Sequence, residues 1–149
     1  MNVDKCVDAL NKLFRGELSA VETYRMAIDR VKDTGYQRVL RDNLSSHETR
    51  VNLLRNQIVK LGGNPAQGSG AWGTFAKLVQ GGAGVFGEDA AISALEEGED
   101  TGIRDYRDSD NLSDLDTDSL QLVNNQLLPA QERTHAALSA LKQRGPAPV

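Results

Sequence analysis

Cysteine is nearly absent. Cys6 stands alone in 149 residues, so no intrachain disulfide can form and no paired-cysteine zinc or rubredoxin-like site exists. Aromatic residues make up only 5% of the chain, and β-branched residues never alternate for long, which argues against a sheet. Basic residues are outnumbered, 17 Lys and Arg against 21 Asp and Glu, for a formal net charge of −4. Phosphate binding needs a basic field, so neither nucleic acid nor an anionic membrane is an expected partner. No apolar run approaches membrane-spanning length, and the opening MNVDKCVDAL is charged and amphipathic rather than signal-like. These exclusions leave a soluble, cytoplasmic, all-α protein as the expectation. Its length suits one domain with a core of its own.

What is present is helical periodicity. A first helix is expected from about Val3 to Lys32, where Leu10, Leu13, Phe14, Val21, Tyr24, Ile28 and Val31 follow one three-four stripe. Asp33-Thr34-Gly35 supplies turn and cap chemistry, and a second helix follows from about Tyr36 to Leu61. Gly62-Gly63-Asn64-Pro65 stops it. The glycine-rich stretch to Gly87 is long for a connection in a compact domain and suits a crossover, with a short amphipathic helix expected at Trp72–Val79. A third helix is expected over Glu88–Arg107. After the polar stretch DSDNLSDLD, a fourth runs over Thr117–Gln143, kinked by Pro129. One four-helix domain over residues 1–144 is the result, with 145–149 as a frayed tail.

The chain says one thing twice. GELSAVETYR (Gly16–Arg25) recurs as GEDTGIRDYR (Gly98–Arg107), which sets Glu17 and Glu99 at equivalent places on the apolar stripes of their helices. The second helix carries Glu48 near its midpoint. The fourth carries Glu132 and His135 as Glu-x-x-His, two groups on one face a turn apart. Four mid-helix glutamates in a bundle are expected to converge at one level. Ionised carboxylates in an apolar core must be paired, protonated or metal-bound. Carboxylate and imidazole donors suit iron or manganese.

With these residues in view, the sequence resembles the ferritin-like, di-iron carboxylate superfamily that includes rubrerythrin and bacterioferritin. That pattern takes one Glu from each of two helices and Glu-x-x-His from each of the other two. The resemblance implies a ferritin-like four-helix bundle and a metal site of Glu17, Glu48, Glu99, Glu132 and His135. Tyr24 and Tyr106, each at the same spacing after its glutamate, would hydrogen-bond across to those carboxylates. The Leu-Gly-Gly-x-Pro stop, the Gly/Trp crossover and the Leu-Pro-x-x-x-x-x-His fourth helix look closest to a bacterial ferritin-like family labelled a domain of unknown function. One departure stands out: Val51 occupies the place of the second histidine, and His47, adjacent to Glu48, lies about 100° round the helix from that glutamate.

Two functional readings follow. One is a degenerate di-metal protein that meets oxygen or peroxide, in the stress-response manner that the resemblance implies. The other is a metal-free structural or interaction bundle acting as a dimer, with its carboxylates paired to arginines such as Arg25, Arg50, Arg104 or Arg133. A homodimer is expected from Trp72, Phe75, Leu78, Val79 and Phe86, which one bundle would not fully cover.

Overall fold

The computed structural model describes residues 2–68 and 88–144. The expected short helix at Trp72–Val79, the apolar set from Trp72 to Phe86 and the tail after Arg144 lie outside the described residues.

Every described element is helical: α1 (Val3–Arg30), α2 (Thr34–Lys60), α3 (Glu88–Arg107), α4 (Ser109–Leu112), α5 (Thr117–Leu122) and, after a π-turn over Val123–Leu127, α6 (Leu128–Arg144). Local chemistry sets the ends. The Asn2 side chain accepts from the Lys5 N–H and caps α1, Asp33 accepts from the Tyr36 N–H and caps α2, and Asp116 accepts from the Ser119 N–H and caps α5. Gly62, at φ 81°, turns the chain out of α2 in a conformation few other residues adopt. Its N–H reaches Val59 O while that of Gly63 reaches Ile58 O, which closes the last carbonyls of the helix in a Schellman motif.

Three expectations about the helices change. α1 stops at Arg30 because Val31 is extended and Asp33 already begins the next cap. The polar stretch after α3 contains the short helix α4, capped by Asp108. The long fourth helix is divided: the Leu128 N–H bonds back five residues to Val123 O, a widened turn just ahead of Pro129. A proline ring would crowd the carbonyl four residues back and offers that carbonyl no N–H, so a locally widened helix is where such a residue is accommodated.

α1 packs on α2 and α3 on α6, and the two pairs meet through α1–α3 and α2–α6. The start of α3 is fastened to the start of α2: the Asp33 N–H donates to Glu88 Oε2 (3.1 Å), and Tyr36 Oη donates to Asp89 Oδ1 (2.6 Å). α3 is therefore fastened, near Glu88 and Asp89, to the end of the bundle opposite Leu61. Two apolar clusters fill the interior. One gathers Tyr24, Ala27, Tyr36, Leu40, Ile92, Leu95 and Leu138; the other gathers Leu10, Phe14, Leu54, Ile58, Leu115, Val123 and Leu127. Between them, at mid-bundle, lies a layer that is almost wholly polar.

Candidate functional site

Glu17 on α1, His47 and Arg50 on α2, Glu99 on α3, and Gln131 and Thr134 on α6 form that layer, and all six are buried. His47 bridges the two carboxylates, with Nδ1 3.1 Å from Glu17 Oε1 and Nε2 2.7 Å from Glu99 Oε2. A carboxylate only accepts, so both ring nitrogens are satisfied together only when both carry protons. Arg50 Nε lies 3.4 Å from Glu17 Oε2. Its Nη2 donates to Thr134 Oγ1 (3.1 Å) and Ser46 Oγ (3.2 Å), and its Nη1 donates to Gln131 Oε1.

Glu99 is saturated. Its Oε2 accepts from Tyr24 Oη (2.6 Å) and His47, and its Oε1 from Gln131 Nε2 (2.8 Å) and Thr134 Oγ1 (2.7 Å). Those four donors account for the four lone-pair positions of a carboxylate. Two carboxylates and two cations then cancel, which is the condition for burying charge at tolerable cost. Protonation follows the same logic. Burial alone opposes a charged His47, but the charges of Glu17 and Glu99 outweigh it and hold the imidazole pKa above its ordinary value. Burial opposes a charged Glu99, but His47 and Tyr24 outweigh it and hold the carboxyl below the usual range. Burial, reinforced by Glu99, pushes the Tyr24 phenol well up, so it stays a donor.

The sequence-expected residues divide into two groups. Glu17 and Glu99 are inside, as their stripes imply, and Tyr24 reaches across to Glu99 as expected. The convergence of four glutamates does not occur. Glu48 is half exposed and pairs with Arg25 at 2.9 Å, and Glu132 is likewise exposed and pairs with Arg107 at 2.9 Å. His135 sits at the surface against Asp100, with Nε2 2.5 Å from Oδ1. The physical reason is one residue of helix rotation. The interior positions are His47 and Arg50 on α2, and Gln131 and Thr134 on α6, each pair three apart. Glu48, Glu132 and His135 follow them by one residue and so turn about 100° away. His47, expected at the margin, is at the centre. Tyr106 is buried, and its hydroxyl has no hydrogen-bond partner among the described residues; burial and the charge of Glu17 hold its pKa well up.

Arg50 is one of the arginines expected as a carboxylate partner and it pairs with Glu17, whereas Gln131, Thr134 and Asn43 are interior residues that the expectations leave unnamed. The spacing carries the signal: Leu127, Gln131, Thr134, Leu138 and Leu141 follow a four-three-four-three stripe through the polar pair, and Leu40, Asn43, His47, Arg50 and Leu54 follow a three-four-three-four stripe on α2. Gly102 belongs to the site as well. A Cβ built there would lie 2.3 Å from Gln131 Nε2, so only glycine leaves room for the side chain that ties Glu99 to Arg50. Among the described residues, no group of three or more His, Cys, Asp or Glu is arranged to hold a metal ion.

Fold and interior together define an all-helical bundle with a self-neutralised polar layer between two apolar cores. A family model described as Domain of unknown function (DUF2383) matches residues 5–110, and the chain belongs to that family. The match takes in Glu17, His47, Arg50 and Glu99 but ends before Gln131 and Thr134. No curated protein and no solved structure matches the chain.

Proposed function

We propose that the chain is a ferritin-like bundle that works as a metal-independent structural or interaction module, with cations of its own where a di-metal bundle carries its ions. The observation that carries this reading is the saturation of Glu99. Four protein donors occupy its oxygens, so a metal ion would have to displace Tyr24, His47, Gln131 or Thr134 to reach it. The substitutions are also of the right kind. At the interior positions a di-metal pattern asks for Glu-x-x-His twice; this chain has His47-x-x-Arg50 and Gln131-x-x-Thr134, which replace anionic ligands with positive and neutral donors. The donor set does not fit a dinuclear site. The pairing of α1 with α2 and of α3 with α6, and the fastening of the start of α3 to the start of α2, support the ferritin-like part of the reading.

The test is metal content and melting temperature of the chain purified without chelator. The expected result is no stoichiometric iron or manganese, and no change in Tm with EDTA, Fe(II) or Mn(II). Any ligand that binds only the folded state raises Tm, so a rise of several degrees with either ion would overturn the proposal. A gain-of-site variant supplies the positive arm. His47→Glu, Arg50→His, Gln131→Glu and Thr134→His together install both Glu-x-x-His pairs beside Glu17 and Glu99, and metal should then stabilise the bundle.

A further inference from the structure

The repeat sets each tyrosine to reach the other copy's glutamate, but only one of the two bonds forms directly. Tyr24 Oη donates to Glu99 Oε2 at 2.6 Å. Tyr106 holds the equivalent place on α3, at the same spacing after Glu99 as Tyr24 after Glu17. It is 2% exposed, yet its hydroxyl has no hydrogen-bond partner among the described residues. The two carboxylates differ in the same sense. Glu99 accepts from four donors, whereas Glu17 accepts among the described residues from His47, with Arg50 Nε at 3.4 Å. One side of the layer therefore has lone pairs to fill and a proton to give.

We infer that one internal water molecule is held between Tyr106 and Glu17, accepting from the phenol and donating to the carboxylate. Buried polar atoms are as a rule hydrogen-bonded, to protein or to ordered water. After burial itself, the charge of Glu17 raises the Tyr106 pKa most, so the phenol stays a donor and the carboxylate lies within its electrostatic reach. Asp105 borders the same spot. It precedes Tyr106 on α3, and its Oδ2 lies 4.0 Å from where a Cβ would stand on Gly16, the residue before Glu17. The second proton of the water goes to Asp105, which completes the three bonds a buried water typically makes. Neither kind of ion meets these demands. An anion would be repelled by Glu17 and Asp105, and a cation would leave the phenol proton without an acceptor. Tyr24 thus reaches Glu99 itself, and Tyr106 reaches Glu17 through one molecule.

The test is a high-resolution crystal structure of the full chain, joined to magnetic relaxation dispersion of the solvent, which counts long-lived internal waters. The expected result is a density peak about 2.5–3.0 Å from both Tyr106 Oη and a Glu17 oxygen. Tyr106→Phe removes the hydroxyl and leaves the ring to pack. In that variant the peak should weaken, and the dispersion amplitude should fall by the contribution of one water. A direct hydrogen bond from Tyr106 to Glu17 would overturn the assignment, as would a hydroxyl with no peak beside it. A peak at metal-ligand distances of about 2.0–2.2 Å would replace the water with a cation and overturn it too. So would an unchanged dispersion amplitude in Tyr106→Phe. The wild-type crystal structure decides by itself if that variant does not fold.

Discussion

Replacing Arg50 with methionine tests the interior layer where its logic is sharpest. Methionine is unbranched and pliable, so it fills most of the volume and removes the charge and all the donors. Three consequences follow from the geometry. Glu17 loses its guanidinium partner at 3.4 Å and keeps His47; Gln131 Oε1 loses its Arg50 donor; and the two cations facing the two carboxylates become one. Breaking one side of a buried pair costs about 3–5 kcal/mol, because a charge is left in low dielectric without compensation. A domain of this kind has roughly 5–15 kcal/mol to lose. With a urea slope of roughly 2 kcal/mol/M, the unfolding midpoint should fall by roughly 2 M. Circular dichroism at pH 7 reads this directly.

The companion variant decides the cause. Glu17→Gln with Arg50→Met removes both charges, so its cost should be less than the sum of the two single variants by roughly 1–3 kcal/mol. If Arg50→Met costs less than about 1 kcal/mol, the buried charge is already compensated by something else. If the double variant is simply additive, the two groups are not a pair.

Gly102→Ala should destabilise the bundle by roughly 1–3 kcal/mol, since the new methyl meets Gln131 at 2.3 Å. Gly16→Ala, where the nearest atom is Asp105 Oδ2 at 4.0 Å, should instead stabilise it by up to about 1 kcal/mol through helix propensity; thermal melts compare the two. The layer also shapes the pH profile. The raised pKa of His47 contributes stability that is full below its unfolded value and is lost as pH rises through the folded one. The lowered pKa of Glu99 contributes stability that is full above its unfolded value and is lost as pH falls through the folded one. Denaturation across pH should therefore show a maximum between the two unfolded values, roughly pH 4.5 to 6.5, and His47→Gln should flatten the alkaline side. Glu48→Gln and Glu132→Gln, which touch only exposed pairs, should each cost less than about 1 kcal/mol in the same assay.

Much of this was legible in the sequence. The breakers at Asp33 and Gly62 and the three-four stripes delimit the long helices, and α3 ends at Arg107, where its periodicity says. Glu17 and Glu99 read as interior because each lies between apolar neighbours on a well-populated stripe. The other half of the site was misread for a physical reason. On α2 and α6 the polar interior residues interrupt the stripe, so adjacent positions about 100° apart compete for the inner face. The Glu-x-x-His pattern at Glu132 and His135 favours one of them, while the spacing of Leu127, Leu138 and Leu141 favours the other. Periodicity wins, because every leucine buried along the helix must turn the same way, and one motif cannot rotate the rod. The widened turn at Val123–Leu127 is the opposite case. Pro129 announces a disturbance, but nothing local says that it is absorbed as a π-turn instead of a bend.

The same duplication explains why the two halves of the chain now differ in opposite ways inside and out. The exposed pairs Arg25–Glu48 and Arg107–Glu132 keep the repeat almost unchanged. Inside, the first copy carries the charge, His47 and Arg50, and the second carries neutral donors, Gln131 and Thr134. That asymmetry is forced by neutrality: two carboxylates need two cations, and a third or fourth would unbalance the layer at the cost of a buried charge. On the surface no such limit applies, and there Asp100, Arg104 and His135 of the second copy stand against Leu18, Glu22 and Val51 of the first. A buried layer and an exposed surface are different physical situations. The first must keep its charges balanced to stay buried, whichever residues supply them. The second can exchange residues one at a time without leaving a buried charge unpaired.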